Sequence, residues 1–229
     1  MNHLRQETVG DLAAVMPDVL PVFQRLGVDF CCGGDRPLDR ILEEQGLTRE
    51  QLIQMAEDAR MGRATREQQA RQADFTRMSP PVLAAYLEDT HHQYLRQVLP
   101  EVQELLPAVL KAHGRAHREL FQVAALFGAI RGDLEPHLLK EELLLFPAPG
   151  LEDNGRGGLI GELTREHQGV GSLLQRLRKA AGDYLPPADA CRSYRHLYAL
   201  LAEMEADLHQ HIHLENNILF RQLAPEQAV

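Results

Sequence analysis

The chain has 229 residues, a net charge of −9, no tryptophan and 5% aromatic residues. That acidic balance argues against a nucleic-acid surface, since phosphate contacts depend on clustered Lys and Arg, and no stretch approaches the roughly 18 to 20 apolar residues of a membrane span. Three cysteines, two of them adjacent, do not make a disulfide framework, and Met1–Gly10 lacks the basic-then-apolar layout of a secretory signal, so a reducing cytoplasm is the expected setting.

Glycine and proline fall mostly between apolar-periodic segments, which predicts an all-α chain in three parts. These are a small helical domain over 1–61, a linker over 62–78 and a four-helix bundle over 79–229. Thr8-Val9-Gly10-Asp11 has the form of a capping box opening a helix through Met16, with Pro17 ending it. A second helix follows over about Asp18 to Leu26, closed by Gly27. Two more are expected near Leu38 to Gln45 and Thr48 to Met61, with Gly46 between them and Thr48 as a cap.

Between the second and third helices lies Asp29-Phe30-Cys31-Cys32-Gly33-Gly34. Adjacent Cα atoms stand about 3.8 Å apart, below the roughly 4.4 Å that a disulfide needs, so Cys31 and Cys32 are not expected to pair. Two small buried hydrophobes are one reading. Gly33-Gly34 favours the other, because a tight glycine turn can aim N–H groups at an anion and lower a thiol pKa. The second reading makes the pair reactive or metal-handling. Cys191 stands alone at a helix start, and packing is its expected role.

The linker is charged and Gln-rich (Arg66-Glu67-Gln68-Gln69-Ala70-Arg71-Gln72). Ser79-Pro80-Pro81 then caps and opens the first bundle helix, with Pro100 and Pro107 as expected breaks or kinks. A second helix is expected over Arg115–Phe146, interrupted near Gly132-Asp133 so that Asp133 caps a fresh start before Pro136. Third and fourth helices are expected over Leu159–Asp183 and Ala188–Leu223.

These helices carry a repeated pattern. His137-x-x-x-Glu141 recurs as His211-x-x-x-Glu215, and Leu145-Phe146 recurs as Leu219-Phe220, all 74 residues on. Residues four apart project from one helix face. Upstream, His92 precedes His137 by 45 residues and His167 precedes His211 by 44. A carboxylate on an apolar face needs a cation, since burying it without a partner costs several kcal/mol. Four imidazoles and two carboxylates, without a thiolate among them, suit a pair of irons better than structural zinc.

His91 and His92 point about 100° apart on a helix, and the even spacing slightly favours His92. His213 lies about 200° round from His211 and is a poor ligand. His113 and His117 form a further pair near the first bundle turn, where solvent exposure is expected. Glu142 and Glu166 read as solvated charges that can also serve as proton relay or exit ligand. His3 and His196 belong to no constellation.

Asp29-Phe30-Cys31-Cys32-Gly33-Gly34, combined with His137-x-x-x-Glu141 and His211-Ile212-x-Leu214-Glu215-Asn216-Asn217 after His92 and His167, resembles the iron–sulfur cluster repair di-iron proteins of the hemerythrin-like superfamily. The resemblance runs over nearly the whole chain. It implies a hemerythrin-like bundle holding a non-haem di-iron centre on His92, His137, Glu141, His167, His211 and Glu215, bridged by the two glutamates. It implies recovery of iron–sulfur clusters damaged by nitrosative or oxidative stress, through supply of iron. Cys31 and Cys32 inherit a link to function, redox or iron transfer, without a settled role. Damaged iron–sulfur proteins or their apo forms would be partners and nitric oxide or oxygen small ligands; a homodimer is compatible with the sequence.

An oxygen-carrying hemerythrin is the nearest rival. Such proteins use a His-x-x-x-His on the third helix and a His-x-x-x-x-Asp on the fourth, whereas this chain has Gly171 and Asn216 at the corresponding places. The less saturated centre suits iron release or nitric oxide binding better than oxygen storage. A catalytic reading, reduction of nitric oxide to nitrous oxide, stays open.

Overall fold

Thr8 sets the first helix by a reciprocal cap. In the computed structural model, which describes residues 7–62, 74–147 and 153–223, Thr8 Oγ1 accepts from the Asp11 amide at 3.2 Å and Asp11 accepts from the Thr8 amide at 3.1 Å. α1 (Val9–Val15) buries Val9, Leu12 and Ala13. A 3-10 turn from Pro17 leads into α2 (Leu20–Leu26), and α3 spans Leu38–Gln45. Gly27 and Gly46 end these two helices at φ 67° and 64°, the left-handed region that glycine enters without a Cβ penalty. α4 (Arg49–Gly62) repeats the reciprocal cap between Thr48 and Gln51. All four agree with the sequence expectation.

The chain folds into two compact units, one made of Met1–Leu83 with His209–Val229, the other of Ala84–Leu208. In the first unit, Arg221 donates to Asp11 at 2.7 Å and to Asp35 at 2.9 Å, and Gln222 donates to the Met78 carbonyl at 3.2 Å. Of the expected linker, residues 63–73 lie outside the described residues, as does His3. Phe75, at the described end of the linker, is buried.

The second unit is a helical bundle. α5 (Pro80–Leu87) runs through a π-helical turn, Glu88–His92, into α6 (Gln93–His113). α7 (Glu119–Lys140) ends in a π-helical turn at Glu141–Leu145, and α8 spans Asp153–Ala180. α9 (Arg192–Leu214) crosses between the units at Leu208 and passes through a third π-helical turn, Glu215–Leu219, into α10 (Phe220–Leu223). α7 packs against both α6 and α8. Among the described residues no strand occurs beyond one bridge, Thr8 to Pro37, and no helix is long and apolar enough to cross a membrane.

Several expected interruptions do not occur. Pro100 and Pro107 lie inside α6, and Gly132 and Pro136 inside α7. Each proline faces solvent, where water can take the carbonyl its ring displaces. Buried residues on both sides then hold the helix: Leu99, Val102 and Leu106 in α6, and Ile130, Leu134 and Leu138 in α7. α8 begins before Leu159, and α9 begins at Arg192 instead of Ala188. Cys191, expected to pack, is exposed.

Candidate metal centre

Each π-helical turn begins or ends on a candidate ligand: His92 closes the first, Glu141 opens the second and Glu215 opens the third. A turn widened by one residue re-aims the following side chains, and π turns are frequent at functional sites. In the Ala84–Leu208 unit this brings together His92, His137, Glu141 and His167. All four are buried, with Glu141 and His92 wholly inaccessible. Glu141 lies 3.2 Å from His137 Nε2, 3.5 Å from His92 Nε2 and 3.8 Å from His167 Nε2. The Nε2 atoms of His137 and His167 stand 2.9 Å apart.

Carboxylates hold two of these rings from behind. His92 donates from Nδ1 to Glu142 at 2.8 Å, and Arg96 in turn donates to both oxygens of Glu142 at 2.5 Å. Phe146 stacks on the same ring with centroids 5.4 Å apart. His137 donates from Nδ1 to Glu166 at 2.8 Å, and Lys140 pairs with the same carboxylate. Burial pushes the Glu166 carboxyl up, but the hydrogen bonds from Lys140 and His137 outweigh it and leave it below the usual range. Glu142 and Glu166 are therefore not the solvated charges expected. With Nδ1–H fixed on a carboxylate, each ring turns its Nε2 lone pair toward Glu141, the arrangement that orients histidine on a metal.

The donor set fits a cation. Imidazole nitrogens and a carboxylate converge at separations of 2.9 to 3.8 Å, close to the spacing of ligands held about 2.0–2.2 Å from one first-row ion. Nitrogen and oxygen donors without a thiolate accommodate iron.

His91, the alternative on the same turn, is buried too but turns elsewhere. It donates to Asp207 at 2.8 Å and meets the Tyr86 ring edge-on. His196 pairs with Glu101 at 2.9 Å in the open.

The Met1–Leu83/His209–Val229 unit holds the other motif. His211 Nε2 lies 3.1 Å from Glu215, and both are buried. His213 points into the apolar interior against Phe30, where burial pushes its imidazole down to about 4. Neutral at ordinary pH, it accepts at Nδ1 from the Asn217 amide at 3.0 Å. Asn217 also donates to the Phe30 carbonyl at 3.1 Å, and Asn216 donates to the Cys31 carbonyl at 3.1 Å. The vicinal cysteines are thus tied to the residues directly after Glu215. In the sequence Asn216 stands out only as the residue where an oxygen-carrying hemerythrin has Asp, and Asn217 not at all; their adjacency to Glu215 is the signal that points to this role.

Cys31 is buried, Cys32 half-buried, and their sulfurs are 3.8 Å apart without a disulfide. Asp29 accepts from the Cys31 and Cys32 amides at 3.2 and 2.8 Å, and from the Cys31 thiol at 3.4 Å. The neighbouring Cys32 sulfur, burial and the Asp29 charge push the Cys31 thiol well up. This reverses the expected lowering: a second sulfur and a carboxylate, not a ring of amides, face the buried thiol. Gly33 and Gly34 serve space instead. A Cβ at Gly34 would stand 2.4 Å from Asn217 Oδ1, and one at Gly33 would meet Asp29. Asp29, Cys31 and Cys32 together present two sulfurs and an oxygen close enough to share an ion.

Comparison with known proteins agrees with both halves. Residues 83–223 match the hemerythrin HHE cation binding domain, and residues 5–60 match a domain of unknown function (DUF542). The chain is 33% identical to the iron-sulfur cluster repair protein YtfE of Musicola paradisiaca, over 95% of this chain and 96% of the relative. It is 30% identical to a probable iron-sulfur cluster repair protein of Haemophilus influenzae, over 97% and 98%. With the iron-sulfur cluster repair protein ScdA of Staphylococcus haemolyticus it shares 26% identity over 96% and 98%. A buried histidine–glutamate cluster, a vicinal-cysteine segment earlier in the sequence and these matches over nearly its full length place the chain in the iron–sulfur cluster repair protein family, with its hemerythrin HHE domain.

Proposed function

We propose that this protein repairs iron–sulfur clusters damaged by nitrosative or oxidative stress, by donating iron from a di-iron centre. The observation that supports it most is the buried cluster of His92, His137, Glu141 and His167, with Glu142 and Glu166 bracing two of its rings. The repeat of the pattern at His211 and Glu215 argues for six ligands, with Glu141 and Glu215 bridging. Bound there, ferrous iron would supply both deliverable metal and a site for nitric oxide or oxygen. The chain's own residues do the rest: buried helices exclude bulk water, Glu142 and Glu166 fix the ring tautomers, and charged Arg96 and Lys140 stand behind them. The clients would be iron–sulfur proteins in damaged or apo form. The cysteines, held as thiols, suit the reducing cytoplasm.

The test is anaerobic iron transfer. Iron-loaded protein mixed with an apo iron–sulfur acceptor and a sulfide source should restore the acceptor's cluster absorbance while losing its own iron. Retention of iron with no restored cluster would remove the donor reading.

Asp29, Cys31 and Cys32 are proposed to hold iron in transit, since two sulfurs and an oxygen ligate it once the thiol protons leave. Replacing both cysteines with serine should leave about two irons bound, as a pair of three-ligand sites would hold, and slow transfer by roughly tenfold or more, the scale of a lost metal-site interaction. Transfer at the wild-type rate would make them packing residues.

His92→Ala should lower iron content more than His91→Ala, because His92 faces Glu141 and His91 is taken up by Asp207. Iron counts in the two purified variants decide it, and the reverse order would move the ligand to His91.

A further inference from the structure

A second histidine cluster lies at the far end of the bundle from His92. Between His92 and His113 runs the whole of α6, roughly 30 Å at 1.5 Å per residue. There His113 ends α6 and its carbonyl accepts from the His117 amide at 2.9 Å, so a single backbone turn carries both imidazoles. Their ring centroids are 6.2 Å apart, and Tyr194 lies against both, at 5.2 and 5.7 Å. His117 was expected to be solvent-exposed; its side chain keeps only 16% of its exposure.

The third member is Asp189, on the connection between α8 and α9. Arg195 donates to the carbonyls of Ala188 and Ala190 at 3.3 and 3.1 Å, which fixes the backbone on either side of it. Both Asp189 oxygens then sit 3.1 Å from His117 Nε2. The other nitrogen of that ring, Nδ1, donates to Glu119 at 3.0 Å. Donors on His113, His117 and Asp189 all lie within 4.8 Å of one another.

We infer that His113, His117 and Asp189 form a separate site for a divalent transition ion of the zinc class, with water completing the coordination. The argument is one of donor geometry. With no ion, His117 donates from Nδ1 to Glu119 and from Nε2 to Asp189; a cation that displaces the Nε2 proton meets the same two groups as electron-pair donors, 3.1 Å apart and bridged by an ion about 2.0–2.2 Å from each. His113, partly exposed on the same turn, closes the third position. Asp189 is the exposed partner, at 63% side-chain exposure, so a change of its rotamer covers the remaining distance without disturbing the core. Two imidazoles, one carboxylate and an open side for water are a zinc ligand set, whereas calcium and magnesium favour oxygen throughout. The ion would clip the α6–α7 turn to the α8–α9 connection.

The experiment uses full-length, iron-loaded protein. It is dialysed against micromolar zinc chloride, and zinc and iron per chain are counted by plasma mass spectrometry. The wild type should hold one zinc more than either Asp189→Asn or His117→Gln, with the same iron in all three. Zinc bound elsewhere, on the cysteines for example, cancels in this difference. Asp189→Asn changes one exposed side chain, so it guards against a folding defect in the histidine variant. Zinc should also raise the melting temperature of the wild type more than that of Asp189→Asn. Equal zinc counts in the three proteins would overturn the proposal, and so would an unchanged melting difference alongside them.

Discussion

Glu141→Ala should purify with less than half the iron of the wild type. The carboxylate is wholly buried and lies within 3.8 Å of three imidazoles, on His92, His137 and His167. Removing it takes away the anion those rings share and leaves a cation in a low-dielectric interior without its counter-charge. Even partners one shell out change metal affinity by roughly 10- to 100-fold, so a direct ligand should do at least as much. Glu215→Ala should behave likewise, because Glu215 is equally buried and pairs with His211 at 3.1 Å. Iron counts after anaerobic purification are the measurement, with circular dichroism to confirm the helices. Full iron in both variants would sink the di-iron assignment.

Gly34→Ala should destabilise the protein by about 1–3 kcal/mol, the usual range for overpacking. Two effects oppose each other here. Gly34 is not among the positive-φ glycines, so alanine is conformationally allowed and would gain about 0.4–1 kcal/mol through a less disordered unfolded chain. Against that, its Cβ would stand 2.4 Å from Asn217 Oδ1 and 3.0 Å from the Phe30 carbonyl. Asn217 cannot simply swing away, because its amide is held by Phe30 and His213. The clash wins. Gly10→Ala meets the same oxygen at 2.5 Å and should act in the same direction. Denaturant unfolding gives the value, and a neutral or stabilised Gly34→Ala would show that the cysteine segment is not seated on Asn217.

Local chemistry was readable in the sequence, and distant contacts were not. The Thr8–Asp11 cap and the Gly27 and Gly46 helix ends were legible because each is decided within a few residues. Pro100 and Pro107 suggest breaks or kinks and Gly132-Asp133 an interruption, yet the helices run through all of them, because the apolar packing that overrides a lost hydrogen bond comes from other helices. The ligand candidates were legible as a repeat, whereas the bracing of His92 by Glu142 spans 50 residues and that of His91 by Asp207 spans 116. For the thiols, the sequence points to Gly33-Gly34 as a source of amide donors. What pushes the Cys31 thiol up is the neighbouring Cys32 sulfur and burial, with the Asp29 carboxylate adding to them. His117 looked solvent-exposed because nothing local places Asp189 beside it, 72 residues away.

The bond from Asn216 to the Cys31 carbonyl joins residues 185 apart, and that from Arg221 to Asp11 joins residues 210 apart. Translation at about 5–20 residues per second leaves roughly 10 to 40 s between the synthesis of the two ends. On the ribosome, α1 to α3 must therefore persist, unfinished, while the whole intervening bundle emerges. The vicinal cysteines are made long before Asn216 and Asn217, which supply the last hydrogen bonds to their segment. During that interval a nascent chain would present them to oxidants and stray metal, which makes the order of synthesis a hazard specific to this fold.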